Sequence, residues 1–341
     1  MPVAIFGDRS CGKTVFLSLL YHSQIRYSNS KDNKGVGQFK FTTEPQFAST
    51  MGSLNSDLIS GLWADSNLKG TLAKYSFKYG FRKLVPGGTA PSDKFDIIDF
   101  TVFDIAGEDL DIIRSLETFA KTMPSTDRIQ EFDFNLVSES FRKLLDCNVF
   151  VFLLDLSKIN AQPRTPKQRE LMDYDNFMAT LISAISKYKS KKYDKNDEKG
   201  KIYPVFMLTK FDVLDKKILS DLHLPESYGD LDKKKRPIFG GGRTTRDQYV
   251  KEIMRRFYPH TMALASGGIL ANVDFDKAAY FFSQIVTDLN DDGDEIPKVK
   301  RIDGVPTLLY SEDEYRGFID YFKKIVKKMS DGEMADQEFS R

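Results

Sequence analysis

Short apolar runs recur along the chain, and most of them end at a glycine or a polar residue. Val3–Phe6, Phe95–Phe103, Val149–Asp155 and Ile202–Leu208 each have the length and composition of a buried strand. Segments that separate these runs carry helical patterns, such as the one from Val15 to Leu20. This alternation predicts an α/β fold, a doubly wound and mostly parallel sheet with helices on both faces.

Two further patterns add elements to this core. From Ala73 to Phe81, apolar and polar residues alternate with a period of two, which predicts a half-buried strand. Near the C-terminus, Ser311–Glu314 form a capping box ahead of an apolar stripe with helical spacing, which predicts a long closing helix. The polar segment 331–341 is predicted to be a disordered tail. The stripe consists of Tyr315, Phe318, Ile319, Phe322, Ile325, Val326 and Met329.

Three segments are longer than such a core requires, at about 23–70, 109–140 and 213–276. Long loops without secondary structure are uncommon in compact domains, so these segments are predicted to be helical insertions. The chain is then a single domain over 1–330. The third insertion contains the basic run Lys233–Arg236, for which a solvated loop is favoured over a contact with RNA or lipid head groups.

The first strand leads directly into a glycine-rich loop. Gly7–Thr14 reads G-x-x-x-x-G-K-[ST] between an apolar strand and a helical pattern, which is the context that a phosphate-binding loop requires. Successive backbone N–H groups would form an anion-binding nest, Lys13 would contact the β- and γ-phosphates, and the Thr14 hydroxyl would bind Mg²⁺. The nucleotide-binding residues predicted here are Gly7, Arg9, Ser10, Cys11, Gly12, Lys13, Thr14 and Val15.

Two more motifs follow apolar strands. Asp104-Ile105-Ala106-Gly107 is a D-x-x-G element, in which Asp104 would contact Mg²⁺ through water and the Gly107 N–H would reach a γ-phosphate. Thr209-Lys210-Phe211-Asp212 has the spacing of a guanine-binding motif. The Asp212 carboxylate can accept hydrogen bonds from both N1–H and the 2-amino group of guanine, a pair of donors that adenine lacks. The Lys210 stem would lie across the face of the base.

With these motifs in this order, the chain resembles a Ras-like P-loop GTPase of the translation-factor-related superclass, similar to Rag-type and to archaeal or bacterial Ras-like proteins. Gly7–Thr14 matches the first motif of the family, Asp104–Gly107 the third and Thr209–Asp212 the fourth, with Thr209 in place of the commoner asparagine. The resemblance implies a P-loop GTPase fold and a molecular switch that converts GTP to GDP and phosphate with Mg²⁺. It further implies an effector or regulatory protein as partner, or a homo- or heterodimer.

The family pattern also implies two further contacts with the nucleotide, for which the sequence offers several candidate residues. A threonine ahead of the alternating strand should contact Mg²⁺ and the γ-phosphate; Thr71 is the candidate, with Thr42 and Thr43 as alternatives. A backbone contact to guanine O6 should follow the last strand, where Ser283 and Gln284 are the candidates.

Two positions bear on the rate of hydrolysis. Glu108 stands where family members often have a water-orienting glutamine, and a carboxylate there is repelled by the γ-phosphate although it can accept a hydrogen bond from water. Arg9 either reaches the phosphates, points to solvent or pairs with an acidic residue outside the site. We therefore predict slow hydrolysis without an activator. The predicted catalytic residues are Lys13, Thr71, Gly107 and Glu108.

Composition limits the remaining possibilities. Lys and Arg number 50 and Asp and Glu 49, so no net charge directs the chain to nucleic acid or an anionic membrane. No apolar run is long enough to span a bilayer, and a cytoplasmic protein that binds GTP, GDP and Mg²⁺ is expected.

The same residues allow two other functions, and one further motif resembles a metal site. The main alternative is a GTP-binding scaffold or assembly protein with negligible turnover; an ATP-using P-loop enzyme is disfavoured by Thr209–Asp212. Asp288–Gly293 matches the start of a calcium loop, but Val299 occupies the twelfth position, so a turn is expected.

Overall fold

The computed structural model describes residues 2–8, 11–29, 40–43, 45–63, 72–82, 95–105, 139–159, 166–194, 197–222, 245–267, 273, 278–302 and 304–339. The chain divides into two compact units. The first comprises Met1–Ala4, Lys13–Asp104 and Ile285–Arg341, and the second comprises Ile5–Gly12 and Ile105–Gln284.

The described residues form strands and helices in the following order along the chain. The strands are β1 Pro2–Phe6, β2 Lys40–Thr43, β3 Leu72–Arg82, β4 Phe95–Ile105, β5 Val149–Asp155, β6 Tyr203–Thr209, β7 Ala279–Ser283, β8 Thr287–Leu289, β9 Glu295–Pro297, β10 Val299–Ile302 and β11 Val305–Leu308. The helices are α1 Lys13–Asn29, α2 Pro45–Ile59, α3 Glu139–Leu145, α4 Pro166–Lys192, α5 Lys216–Asp221, α6 Thr245–Phe257, α7 Pro259–Gly267 and α8 Glu312–Phe339.

In the first unit the strands follow the order β2-β3-β4-β1. β3 confirms the strand predicted from the alternating pattern. β2 was not predicted; it runs antiparallel to β3, with Lys40 opposite Gly80 and Thr43 opposite Phe77. The first predicted insertion therefore contributes a strand to the sheet as well as the helix α2.

Helices α1 and α8 pack together in the first unit. α8 begins directly after Ser311, as the capping box predicts. The Phe16 ring of α1 lies 5.6 Å from the Tyr315 ring and 5.4 Å from the Phe318 ring, centroid to centroid. α8 extends to Phe339 and so includes most of the segment for which a disordered tail is predicted. This segment contains no proline, and Glu, Met, Ala and Gln all favour a helix.

In the second unit the strands follow the order β1-β5-β6-β7. β5 and β6 run parallel, as do β6 and β7, and every residue of β5 and β6 is buried. This burial explains why both strands are continuous apolar runs without alternation. Stacked rings follow the sheet across the strands, with Phe152 5.7 Å from Phe206 and Phe206 5.7 Å from Tyr280. The predicted α/β class is confirmed.

Helices α4 and α7 of the second unit are joined by a buried carboxylate. Asp175 of α4 accepts hydrogen bonds of 2.9 Å from the backbone N–H groups of His260 and Thr261, in the first turn of α7. Helices α5, α6 and α7 lie within the segment 213–276. The basic run Lys233–Arg236 and most of 109–140 lie outside the described residues.

The segment that resembles a calcium loop forms a β-hairpin instead. β8 pairs antiparallel with β9, and the Asn290 side chain accepts hydrogen bonds from the backbone N–H groups of Asp292 and Asp294 in the turn between them. The predicted turn is thus confirmed. Among the helices that the structure describes, none is both long and apolar enough to cross a bilayer.

Candidate functional site

The glycine-rich loop after β1 requires both of its glycines for different reasons. A Cβ atom at Gly7 would overlap Sγ of Cys11 and would lie 3.1 Å from Cβ of Leu153. Gly12 has a φ of 93°, which L side chains rarely adopt, while a Cβ there would meet only Cβ of Thr209 at 4.0 Å. Close packing therefore requires glycine at position 7, and backbone conformation requires it at position 12.

Thr209 connects this loop to the predicted base-binding motif. It is the last residue of β6 and is buried. Its Oγ1 donates a hydrogen bond of 2.8 Å to the Cys11 carbonyl and makes a longer contact of 3.4 Å with the Leu154 carbonyl. The two predicted motifs, although 198 residues apart at these two positions, meet in the second unit.

Lys210 is held by an ion pair at the end of β5. Its backbone is left-handed, with φ 56° and ψ 43°, and its Nζ lies 2.9 Å from Oδ2 of Asp155. Oδ1 of the buried Asp155 accepts hydrogen bonds from the backbone N–H and the hydroxyl of Ser157, at 2.9 and 2.6 Å. The Tyr258 hydroxyl donates to the Asp155 carbonyl at 2.9 Å. Both carboxylate oxygens of Asp155 thus have partners. Because Ser157 fixes the carboxylate, the carboxylate in turn fixes the position of the Lys210 ammonium.

The other predicted base-binding residues lie beside this pair. Asp212 is an exposed residue of the 3₁₀ turn Phe211–Val213. The Phe211 ring packs against Phe282 of β7, with centroids 5.0 Å apart. Ser283 ends β7 directly opposite Thr209 in the parallel register. Gln284 follows it and is half-buried. The predicted fourth and fifth motifs therefore occupy the carboxyl ends of neighbouring strands.

Asp8 of the glycine-rich loop is bound to residues that follow β5. Its Oδ2 lies 3.4 Å from Nζ of Lys158, and both side chains are largely buried. Its backbone N–H donates to the Tyr174 hydroxyl at 3.4 Å, and that hydroxyl donates to the Leu153 carbonyl. Burial raises the pKa of Tyr174 well above its usual value, so the phenol keeps its proton. The Lys158 ammonium also lies over the Tyr174 ring, 5.6 Å from its centroid.

The remaining loop residues begin α1 in the first unit. Lys13 is the first residue of the helix and is buried, while Thr14 and Val15 are half-buried. Asp104 is the penultimate residue of β4, at the carboxyl end as predicted. Thr42 and Thr43, the alternatives for the threonine predicted to contact Mg²⁺, lie in β2 opposite Lys78 and Phe77 of β3.

Arg9, Ser10, Thr71, Gly107 and Glu108 lie outside the described residues, and their predicted roles stay predictions. Sequence reasoning missed Asp8, Asp155, Lys158 and Tyr174 as parts of this site. Asp155 had a usable signal, because a carboxylate at the end of an apolar strand stands at the same edge as Thr209. The others depend on contacts between residues distant in the chain.

No protein-family model matches the chain, and no curated protein matches it significantly.

Proposed function

We propose that the chain is a guanine-nucleotide-binding protein that hydrolyses GTP slowly and acts as a molecular switch. The observation that carries the proposal is the hydrogen bond from the Thr209 hydroxyl to the Cys11 carbonyl. It joins a loop with phosphate-binding chemistry to a motif with guanine-binding chemistry.

The two ends of the proposed site would bind different parts of the nucleotide. At the phosphate end, the loop from Gly7 to Gly12 supplies backbone N–H groups, and Lys13 supplies a cation. At the base end, the Asp212 carboxylate would accept two hydrogen bonds from guanine. The Lys210 stem would cover the face of the base while its ammonium is held 2.9 Å from Asp155.

Two residues, one at the start of α1 and one at the end of β4, have side chains that could bind Mg²⁺. Thr14 offers a hydroxyl and Asp104 a carboxylate, both oxygen donors of the kind that this hard cation prefers. The described residues contain no cluster of three or more His, Cys, Asp or Glu that could hold a metal. Mg²⁺ beside a nucleotide does not need one, since phosphates and waters supply most of its ligands. When bound, it would neutralise charge on the β- and γ-phosphates.

The proposed reaction is attack by water on the γ-phosphorus of GTP, with cleavage of its bond to the β–γ bridging oxygen, which gives GDP and phosphate. Lys13 would neutralise the charge on the phosphate oxygens. The segments that contain Thr71 and Gly107 would respond to loss of the γ-phosphate, and a partner protein would recognise the difference. The parallel order of β5, β6 and β7, with motifs at their carboxyl ends, supports the doubly wound fold of this family.

The test begins with nucleotide released by denaturing the purified protein. We expect GDP and GTP, and single-turnover release of phosphate from GTP that slows strongly in Lys13→Ala. Release of adenine nucleotide alone, or equal competition by ATP and GTP, would overturn the proposal. Bound GTP that stays intact for hours at high protein concentration would favour the scaffold function instead.

A further inference from the structure

Tyr258 links two helices of the second unit to the strand end beside the proposed base site. It lies between α6 and α7, and its side chain is fully buried. The phenol donates a hydrogen bond of 2.9 Å to the backbone carbonyl of Asp155, the last residue of β5. Burial raises the pKa of Tyr258 well above its usual value, so the hydroxyl keeps its proton and stays a donor.

The position of this hydroxyl is fixed by contacts with three helices. The Tyr258 ring meets the Tyr174 ring of α4 edge-on, with centroids 6.3 Å apart. Its backbone N–H donates to the Met254 carbonyl in α6, and its carbonyl accepts from the Met262 N–H in α7, both at 2.8 Å. The buried Asp175 of α4 also caps the first turn of α7. The tyrosine is therefore a rigid support for the end of β5.

Asp155 connects Tyr258 to the lysine of the predicted base-binding motif. Its carbonyl accepts from Tyr258, and its carboxylate lies 2.9 Å from Nζ of Lys210. Only 4% of the Asp155 side chain is exposed, against 36% of the Lys210 side chain. A partly exposed lysine has many rotamers, and ordering it costs free energy when a ligand binds. The ion pair with a fixed carboxylate removes part of that cost before the ligand binds.

From this geometry we propose that Tyr258 is a positioning residue for the base end of the nucleotide site. It holds Asp155, and Asp155 in turn holds the Lys210 stem where the stem would cover the face of guanine. The inference rests on the proposed nucleotide function, and it adds a residue that acts through the protein and not on the ligand. The effect of Tyr258 should therefore be confined to ligands that carry a base, and it should require Lys210.

Tyr258→Phe removes the hydroxyl and keeps the ring, and the probes are GDP and inorganic triphosphate. Without the hydrogen bond, only a fraction of the molecules holds Lys210 in the binding position, and the apparent affinity falls by that fraction. GDP binding should weaken roughly two- to tenfold, the range that the loss of one hydrogen bond permits. Inorganic triphosphate has no base to cover, so its affinity should equal that of the wild type.

Lys210→Met tests whether the tyrosine acts through the lysine. Methionine keeps an unbranched apolar stem but cannot form an ion pair with Asp155. Lys210→Met alone should weaken GDP binding. Adding Tyr258→Phe to this variant should weaken GDP binding no further, because the contact that the tyrosine supports is already lost.

Tyr203→Phe is the matched control. Tyr203 is also fully buried, and its hydroxyl donates to Oε2 of Glu198 at 2.7 Å. It begins β6, about 20 Å along the strand from Thr209 at the other end. The variant should bind both probes like the wild type. Urea denaturation of the two phenylalanine variants separates a loss of stability from a loss of affinity.

Three results would overturn the inference while leaving the proposed function intact. The first is an unchanged GDP affinity in Tyr258→Phe, even with a lower free energy of unfolding, which would make the hydrogen bond purely structural. The second is equal weakening of GDP and inorganic triphosphate, which would extend the effect to the whole site. The third is a full further loss of GDP affinity when Tyr258→Phe is added to Lys210→Met. If the wild type binds neither probe, both proposals fail.

Discussion

Thr209 is the residue on which the geometry of the site depends most directly. Its hydroxyl is buried and donates to the carbonyl of Cys11, a residue of the loop after β1. A buried carbonyl that loses its donor costs free energy, because it has also lost its contact with water. A substitution that removes only the hydroxyl therefore isolates the connection between the two motifs.

Thr209→Val should lower the free energy of unfolding by about 1–3 kcal/mol and speed nucleotide release, because the Cys11 carbonyl loses this donor without a change in side-chain volume. Urea denaturation and the release rate of a fluorescent GDP analogue measure the two effects. Thr209→Ser keeps the hydroxyl and should release nucleotide at the wild-type rate, although the loss of a buried methyl group should lower the free energy of unfolding by about 1 kcal/mol. A Val variant with unchanged release would show that the hydrogen bond does not support the site.

Cys147 gives a prediction that depends on pH. Burial raises the pKa of its thiol to about 12. Since only the thiolate reacts with alkylating agents, roughly one molecule in ten thousand is reactive at pH 8. Iodoacetamide should leave Cys147 unmodified in the native protein and modify it fully in urea, as read by peptide mass spectrometry. Stoichiometric modification without denaturant would contradict the burial of this thiol.

At the residue scale, the sequence could suggest candidate groups for the proposed chemistry but not their supporting contacts. The motif Gly7–Thr14 and the residue Thr209 were identified from strand ends, spacing and composition. The pairs Lys158 with Asp8 and Lys210 with Asp155 were not, since each joins residues that are far apart in the chain and match no local pattern.

At the level of elements, α8 shows which features of a helix a sequence pattern can predict. The capping box and the stripe predicted its start and its buried face, since both signals lie within a few residues. Its end is less clear from the sequence, because a polar segment is compatible with a helix as well as with a disordered tail. Glu, Met, Ala and Gln are also good helix formers, and here the helix continues through them to Phe339.

The packing of α8 against α1 can be tested by its contribution to stability. Phe318 is 1% exposed and packs edge-on against Phe16. Phe318→Ala should destabilise the protein by about 3–5 kcal/mol, the usual cost of removing a buried ring and leaving a cavity. The exposed Lys324 on the same helix is the control, and Lys324→Ala should change stability by less than about 0.5 kcal/mol in the same denaturation experiment. Equal effects of the two substitutions would refute the assigned interface.

β2 shows where element prediction fails. Its four residues carry no distinctive pattern of their own, and the pairing with β3 defines the strand. A strand specified mainly by its partner cannot be recognised by local periodicity. The finding bears on function, because the alternatives Thr42 and Thr43 lie in this ladder, whereas Thr71 lies just ahead of β3 and outside the described residues.

For the whole molecule, the α/β class followed from the order of apolar runs and helical patterns. The carboxyl ends of β5, β6 and β7 bring Asp155, Thr209 and Ser283 into one row of the register. Such an edge is where open α/β sheets bind their ligands. The proposed function requires that this edge and the glycine-rich loop hold the two ends of one guanine nucleotide.

The base preference of Asp212→Asn tests that proposition most directly. Guanine presents an amino group at position 2, and xanthine presents an oxygen there. An aspartate carboxylate can only accept hydrogen bonds, whereas an asparagine amide can also donate one. Competition binding compares GDP with xanthosine diphosphate. We expect the wild type to prefer GDP and Asp212→Asn to prefer xanthosine diphosphate, each by roughly a hundredfold; an unchanged preference for GDP in the variant would contradict the account.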